Sequence, residues 1–119
     1  MEKLNLAEAF ARIPEPWSPR LAGELNGQHV RLVRCQGEFI WHQHAEEDEL
    51  FLVLEGHLRL ELRHRTLELQ AGELCVVPRG TEHRPVAPEE ALVLLFEPAS
   101  TCNTGQVEHP LTCLEPGPP

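Results

Sequence analysis

The stretch WHQHAEEDELFLVLEG, residues 41–56, sets two histidines one residue apart in front of a run of acids and a dense apolar segment. Side chains two apart on a strand share a face, so His42 and His44 project together, and Ile40 two residues earlier marks that face as inward. In the apolar run, Leu50, Leu52 and Leu54 lie on one face and Phe51 and Val53 on the other. Both faces therefore want burial. A single small barrel provides that only on its inner side, so the leucine face is expected to meet a second subunit, and a homodimer is the expected assembly.

Outward from this stretch the same period of two recurs. HVRLVRC, EFIWHQH, ELFLVLEG, HLRLELR, TLELQ, LCVVP and ALVLLFEP read as short strands divided by Gly, Pro and charged residues, which predicts an all-β sandwich or barrel. In HLRLELR, Leu58, Leu60 and Leu62 face a core while His57, Arg59, Glu61 and Arg63 meet solvent. Ahead of the strands, Asn5 with Glu8 resembles a capping box and predicts one short helix over Asn5 to Ile13, ended by PEPWSP. With 119 residues the chain is expected to form one domain: helix and lead-in 1–27, barrel core 28–97, tail 98–119. The LEPGPP end is expected to be loose.

Net charge is -9, and all ten basic residues but Lys3 are scattered arginines, which excludes a nucleic-acid partner. No apolar run reaches the length of a membrane span, and MEKLNLAEAF lacks the pattern of a signal peptide, so no membrane partner and a cytoplasmic location are expected. Cys35, Cys75, Cys102 and Cys113 form no CxxC pair and read as free thiols; Cys102 and Cys113 could pair only if their loops meet.

His42, His44, Glu49 at the start of the next strand, and His83 after the turn PRGTEH supply three imidazoles and one carboxylate, a donor set for a divalent transition metal. His29, His57, His64 and His109 fall on polar phases, in turns or at element ends and are read as surface residues.

Gly37, His42, His44, Glu49 and Gly56, followed by Gly72, Pro78, Gly80 and His83, resemble the two ordered motifs of the cupin superfamily. The resemblance implies a cupin jelly-roll β-barrel whose lumen holds a metal on His42, His44, Glu49 and His83. Two departures stand out. Gly37 is one residue nearer His42 than the family pattern has it, and Ala87 replaces an Asn that ends the second motif, a loss expected to touch turn geometry. Asp48 is an alternative carboxylate to Glu49; the distance to Gly56 favours Glu49. The later segment FEPASTCNTG is similar to that of small single-domain cupins labelled mannose-6-phosphate isomerase-like, in which it closes the barrel; Asn103, and Thr104 with it, would then reach the pocket rim.

Such a site implies Mn, Fe, Co, Ni or Zn, with coordination positions open to a small-molecule ligand or substrate. A dioxygenase and an isomerase-type enzyme both fit, as does a non-catalytic binding module. The absence of tyrosine speaks against sugar epimerases that pair a histidine base with a tyrosine acid, and the single lysine against Schiff-base chemistry. A phosphosugar would need a basic clamp, for which Arg79 and Arg84 at the mouth, and Arg34, are the candidates. A lumen plugged by large side chains such as Phe39, Trp41, Phe51 or Phe96 would favour a structural role over turnover, although Trp41, next to His42, is expected to point outward.

Overall fold

The computed structural model describes residues 1–119. The short helix α1 spans Leu6–Ala11, and the Asn5 side chain accepts the Glu8 backbone N–H at 2.9 Å, so the capping reading locates its start. Seven strands follow: β1 (Arg20–Leu25), β2 (Gln28–Glu38), β3 (Glu49–Glu55), β4 (His57–Leu62), β5 (Thr66–Gln70), β6 (Leu74–Val77) and β7 (His83–Pro98). All pairings between them are antiparallel, in the order β1-β2-β7-β3-β6, with β4 joining β7 and β5. No helix is long and apolar enough to cross a membrane.

β7 is the spine. Its first residues pair with β4 and its last with β3, while β2 runs along its other edge for nearly the whole length. The sheet therefore curls around one lumen. Val33 and Cys35 of β2, Phe51 and Val53 of β3, Leu58 and Leu60 of β4, and Val93 and Leu95 of β7 fill it. The positions between them face out. Gly56 makes the β3 to β4 reversal: its φ is +84°, and a Cβ there would lie 2.7 Å from the Glu90 carbonyl oxygen.

Several expectations are corrected. The EFIWHQH segment is not a strand of its own: Glu38 ends β2, and beyond it only His42 bridges to His83. The lead-in contains β1, turned into β2 by Asn26-Gly27, both at positive φ. Ala87 is buried within β7 opposite Gly37 rather than in a turn, because β7 continues unbroken through the second motif. The end of the tail is tied down: Leu21 N–H donates to the Gly117 carbonyl at 2.7 Å, and Gly117 N–H donates to Pro19 at 3.1 Å.

Leu50, Leu52 and Leu54 face outward as read, but they are not equivalent. Leu54 packs, with Leu92 and Leu94, against a small cluster formed by Ala9, Phe10, Ile13 and Leu32, so α1 covers that end of the face. Leu50 and Leu52 lie beyond it, beside the exposed Leu74 and Val76 of the edge strand β6. All four cysteines are unpaired.

Candidate metal centre

His42 and His83 meet across the loop between β2 and β3 and the first residue of β7. Each donates its backbone N–H to the other's carbonyl, at 3.0 and 2.9 Å, and their ring centroids lie 4.3 Å apart. His44 joins with its ring centroid 4.9 Å from that of His42. Glu49, the first inward residue of β3, completes the group. One ligand atom from each of the four residues lies within 4.8 Å of the others, and all four side chains are buried.

Two of the rings are oriented by their own chain. The Nδ1 atoms of His42 and His83 bond the carbonyls two residues back, Ile40 and Thr81, each at 2.9 Å, which leaves both Nε2 atoms as acceptors. Glu49 Oε1 stands 3.4 Å from the Nε2 atoms of both His44 and His83 without forming a hydrogen bond to either. Both ring nitrogens of His44, Nε2 of His83 and Oε1 of Glu49 are thus buried without partners. Each orphan costs roughly 1–3 kcal/mol. Three imidazoles and one carboxylate with converging lone pairs are a set that a divalent cation satisfies, so the residues fit the metal their pattern implies.

The electrostatics agree. Burial first, then the neighbouring His83, lowers His42 from 6.5 to about 4, so its ring is neutral and able to donate a lone pair at ordinary pH. Burial alone would raise Glu49, but the imidazoles of His44 and His83 at its carboxylate outweigh this and hold it well below the usual range. The site therefore offers an anionic oxygen and neutral nitrogen at neutral pH.

A family model described as a cupin domain matches residues 29–97, which contain all four of these residues. The chain belongs to the cupin domain family. This cupin is 44% identical over 81 residues to YdbB, an uncharacterized protein of Bacillus subtilis (strain 168), a match covering 67% of the chain and 72% of that relative. A cupin-2 domain containing protein from Shewanella frigidimarina NCIMB 400 is 43% identical with a TM-score of 0.78, covering 80% of this cupin and 93% of that chain. Protein NMB1881 from Neisseria meningitidis is 28% identical with a TM-score of 0.75, covering 82% and 99% respectively. The cupin jelly-roll β-barrel with its short N-terminal helix is thus the fold of this chain.

Other residues read from the sequence fall in different places. Asp48 points out of the cupin lumen and takes the Arg79 backbone N–H at 2.8 Å and its guanidinium at 3.2 Å, which keeps its carboxyl below the usual range. Glu49, not Asp48, therefore sits with the histidines. Arg79 is spent on that pair and does not line the cavity. Arg84 is held by Glu38 and Glu61, and Arg34 by Glu90, so none of the three is a free anion clamp. Asn103 does reach the cavity wall, but its amide is committed to the tail, donating to the Leu111 carbonyl and accepting from Cys113 N–H. Thr104 is fully buried and turns its hydroxyl to Val107 and Thr112.

The NTG turn sits on the ligand-bearing loop itself. Gly105 has φ +62°, and a Cβ there would be 2.1 Å from the carbonyl oxygen of Gln43, the residue between His42 and His44. Any side chain would push the two histidines out of place.

One residue was misread: His29 is buried in the lumen, not on the surface. Its Nδ1 accepts from Arg31 at 3.0 and 3.1 Å, and its Nε2 bonds Glu24 at 2.8 Å. Arg31 and Glu97, both fully buried, were not singled out either. The inward phase of β2 and β7, set by Val33 with Cys35 and by Val93 with Leu95, carries all three into the barrel and was the available signal. Beside the four clustered residues lies a cavity of about 40 Å³, walled by Trp17, Val33, Phe39, Phe51, Val93 and Leu95, with His42, Glu49, Arg31 and Glu97 on its surface. Of the four aromatics weighed as plugs of the lumen, Phe39 and Phe51 are there. Trp41 turns outward beneath Arg63, and Phe96 lies on the outer face between Val30 and Leu50.

Proposed function

We propose that this cupin is a metal-dependent protein acting on a small molecule in its lumen, as an enzyme of the dioxygenase or isomerase type. The observation that carries the reading is the convergence of one ligand atom from each of four buried side chains beside a cavity, three of those side chains holding buried polar atoms without partners. Mn, Fe, Co, Ni or Zn would be held by His42, His44, Glu49 and His83. Such an ion supplies Lewis acidity to an oxygen-bearing ligand and, if it is iron, access to dioxygen. The chain's own contributions are rigid. The Ile40 and Thr81 carbonyls fix two tautomers, Glu49 supplies a negative charge, and the apolar walls from Phe39, Phe51 and Leu95 exclude water.

The mannose-6-phosphate isomerase-like subtype lacks this kind of support, since Arg79, Arg84 and Arg34 are each engaged by carboxylates. A second reading, a non-catalytic metal-dependent binding module, is favoured by the small cavity between Phe39 and Phe51. Elemental analysis of anaerobically purified protein, followed by dioxygen uptake with a panel of thiols, diketones and sugar phosphates, separates the two. Uptake with a thiol or diketone is the enzymatic outcome. A stoichiometric metal with no turnover of any compound is the outcome of the binding module.

We further propose a homodimer in the cytoplasm. Val30, Phe96, Leu50 and Val76 form one row across four strands of the outer face, and Leu94, Leu52 and Leu74 a second, with Leu74 and Val76 more than half exposed. A second copy would cover this face isologously. The four unpaired thiols accord with a reducing compartment. Sedimentation equilibrium at micromolar concentration tests the dimer, and a monomer would refute it.

A further inference from the structure

The FEPASTCNTG segment contributes more than closure. Its glutamate, Glu97, points inward from β7, is 1% exposed, and lines the same cavity as His42 and Glu49. One carboxylate oxygen, Oε2, is 3.4 Å from Arg31 Nη1; the other, Oε1, is buried with no partner. Arg31 cannot turn to serve a ligand. Its Nη1 donates to the Thr101 carbonyl at 2.8 Å, its Nη2 to the Ala99 carbonyl at 3.2 Å, and its Nε to His29 Nδ1 at 3.1 Å, while His29 is braced by Glu24. The guanidinium therefore fixes Glu97 and is itself used up. With Asn103 committed to the tail and Phe39, Phe51 and Leu95 around it, Glu97 Oε1 faces this cavity with no protein donor, while burial and the neighbouring Glu49 carboxylate push the Glu97 carboxyl well above the usual range.

We infer that Glu97 is the specificity-determining residue of the lumen: its Oε1 hydrogen-bonds a hydroxyl or amino group that the ligand carries next to its metal-binding atom. The inference rests on the metal reading given above. The ligand it selects is compact. A cavity of about 40 Å³ takes about three water-sized groups. A buried polar group built to pair with a ligand rejects the analogue that lacks the partner, which is how one such atom sets specificity.

The test uses two probes of equal size, hydroxylamine and methylamine, titrated into the Co(II)-loaded full-length protein and read from the visible absorption of the ion. Both offer a nitrogen to the metal; only the first carries a hydroxyl beyond it. The ratio of their dissociation constants in the wild type is the reference. In Glu97→Leu the preference for hydroxylamine should fall about tenfold, the worth of one hydrogen bond to a buried group. Because that change strands the Arg31 charge, the double variant Arg31→Met with Glu97→Leu is measured beside it and should show the same fall. Glu97→Gln, which keeps polar atoms in place, should stay within about threefold of the wild type. Co(II) content should be unchanged in every variant. An unaltered ratio in both leucine variants would overturn the inference and leave the metal reading intact. Loss of Co(II) from the double variant would make Glu97 a support of the metal centre and overturn it equally. A wild type that takes up no Co(II) would sink the metal reading and this inference with it.

Discussion

Two buried polar groups share one barrel, and they are built in opposite ways. In the layer formed by His29, Arg31 and Glu97, the guanidinium meets a carboxylate, an imidazole and two backbone carbonyls, and His29 reaches Glu24. In the layer formed by His42, His44, Glu49 and His83, two rings are anchored by carbonyls while four buried atoms on the other sides of the group, two of them on the His44 ring, have no partner. A folded chain leaves such atoms unpaired only where something else pairs with them. The first layer closes the barrel from within and holds the Ala99 to Thr101 segment over it. The second is arranged around a cation. Glu97 stands between the two, with one oxygen in the Arg31 network and one in the cavity.

The contrast can be broken from either side. The largest expected effect is in the satisfied layer: Arg31→Ala strands the Glu97 carboxylate and frees the Ala99 and Thr101 carbonyls, and should cost about 3–5 kcal/mol of unfolding free energy in urea. A loss below about 1 kcal/mol would mean that this network is not what fixes the barrel end.

The next effect is on acid. His42 titrates near 4 in the fold against 6.5 ordinarily, so between those values the unfolded chain takes a proton that the native state refuses. The stability linked to His42 is complete above about 6.5 and is lost as pH falls towards about 4, in total about 3 kcal/mol. Metal-free wild type should therefore lose that much more than metal-free His42→Gln over the window. Equal losses would show that His42 is not held neutral by burial.

The smallest effect sharpens the comparison most. His44 carries two orphaned ring nitrogens, so in metal-free protein His44→Leu should raise stability by about 1 kcal/mol while abolishing the stabilisation that added metal gives the wild type. A destabilised metal-free variant would indicate that the ring is already satisfied without an ion.

Much of this was legible in the residues. His42, His44, Glu49 and His83 could be named because period-two alternation and short turns place them, and the strands β3 to β6 appear close to where the pattern sets them. Elements that break alternation were not legible. RLAGEL carries a glycine and a bulge where a strand should alternate, and only the Asn26-Gly27 turn signalled it. The segment 39–44 looked like a strand because its apolar residues alternate, yet it forms a single β-bridge, at His42, with isolated backbone hydrogen bonds at Phe39 and His44 in place of a ladder. Arg31 and Glu97 escaped notice because isolated charges in strands are usually solvated. They lie 66 positions apart, and only the β2 to β7 register brings them together.

The most direct test of the central claim is metal content, measured by elemental analysis after purification in the presence of each candidate ion. The account predicts about one transition-metal ion per chain in wild type and in the surface variant His57→Ala, and loss of most of it in His42→Ala, His44→Ala and His83→Ala, since each removes one of four donors. A wild type without metal, or a His83→Ala protein at full occupancy beside a depleted His57→Ala, would contradict it.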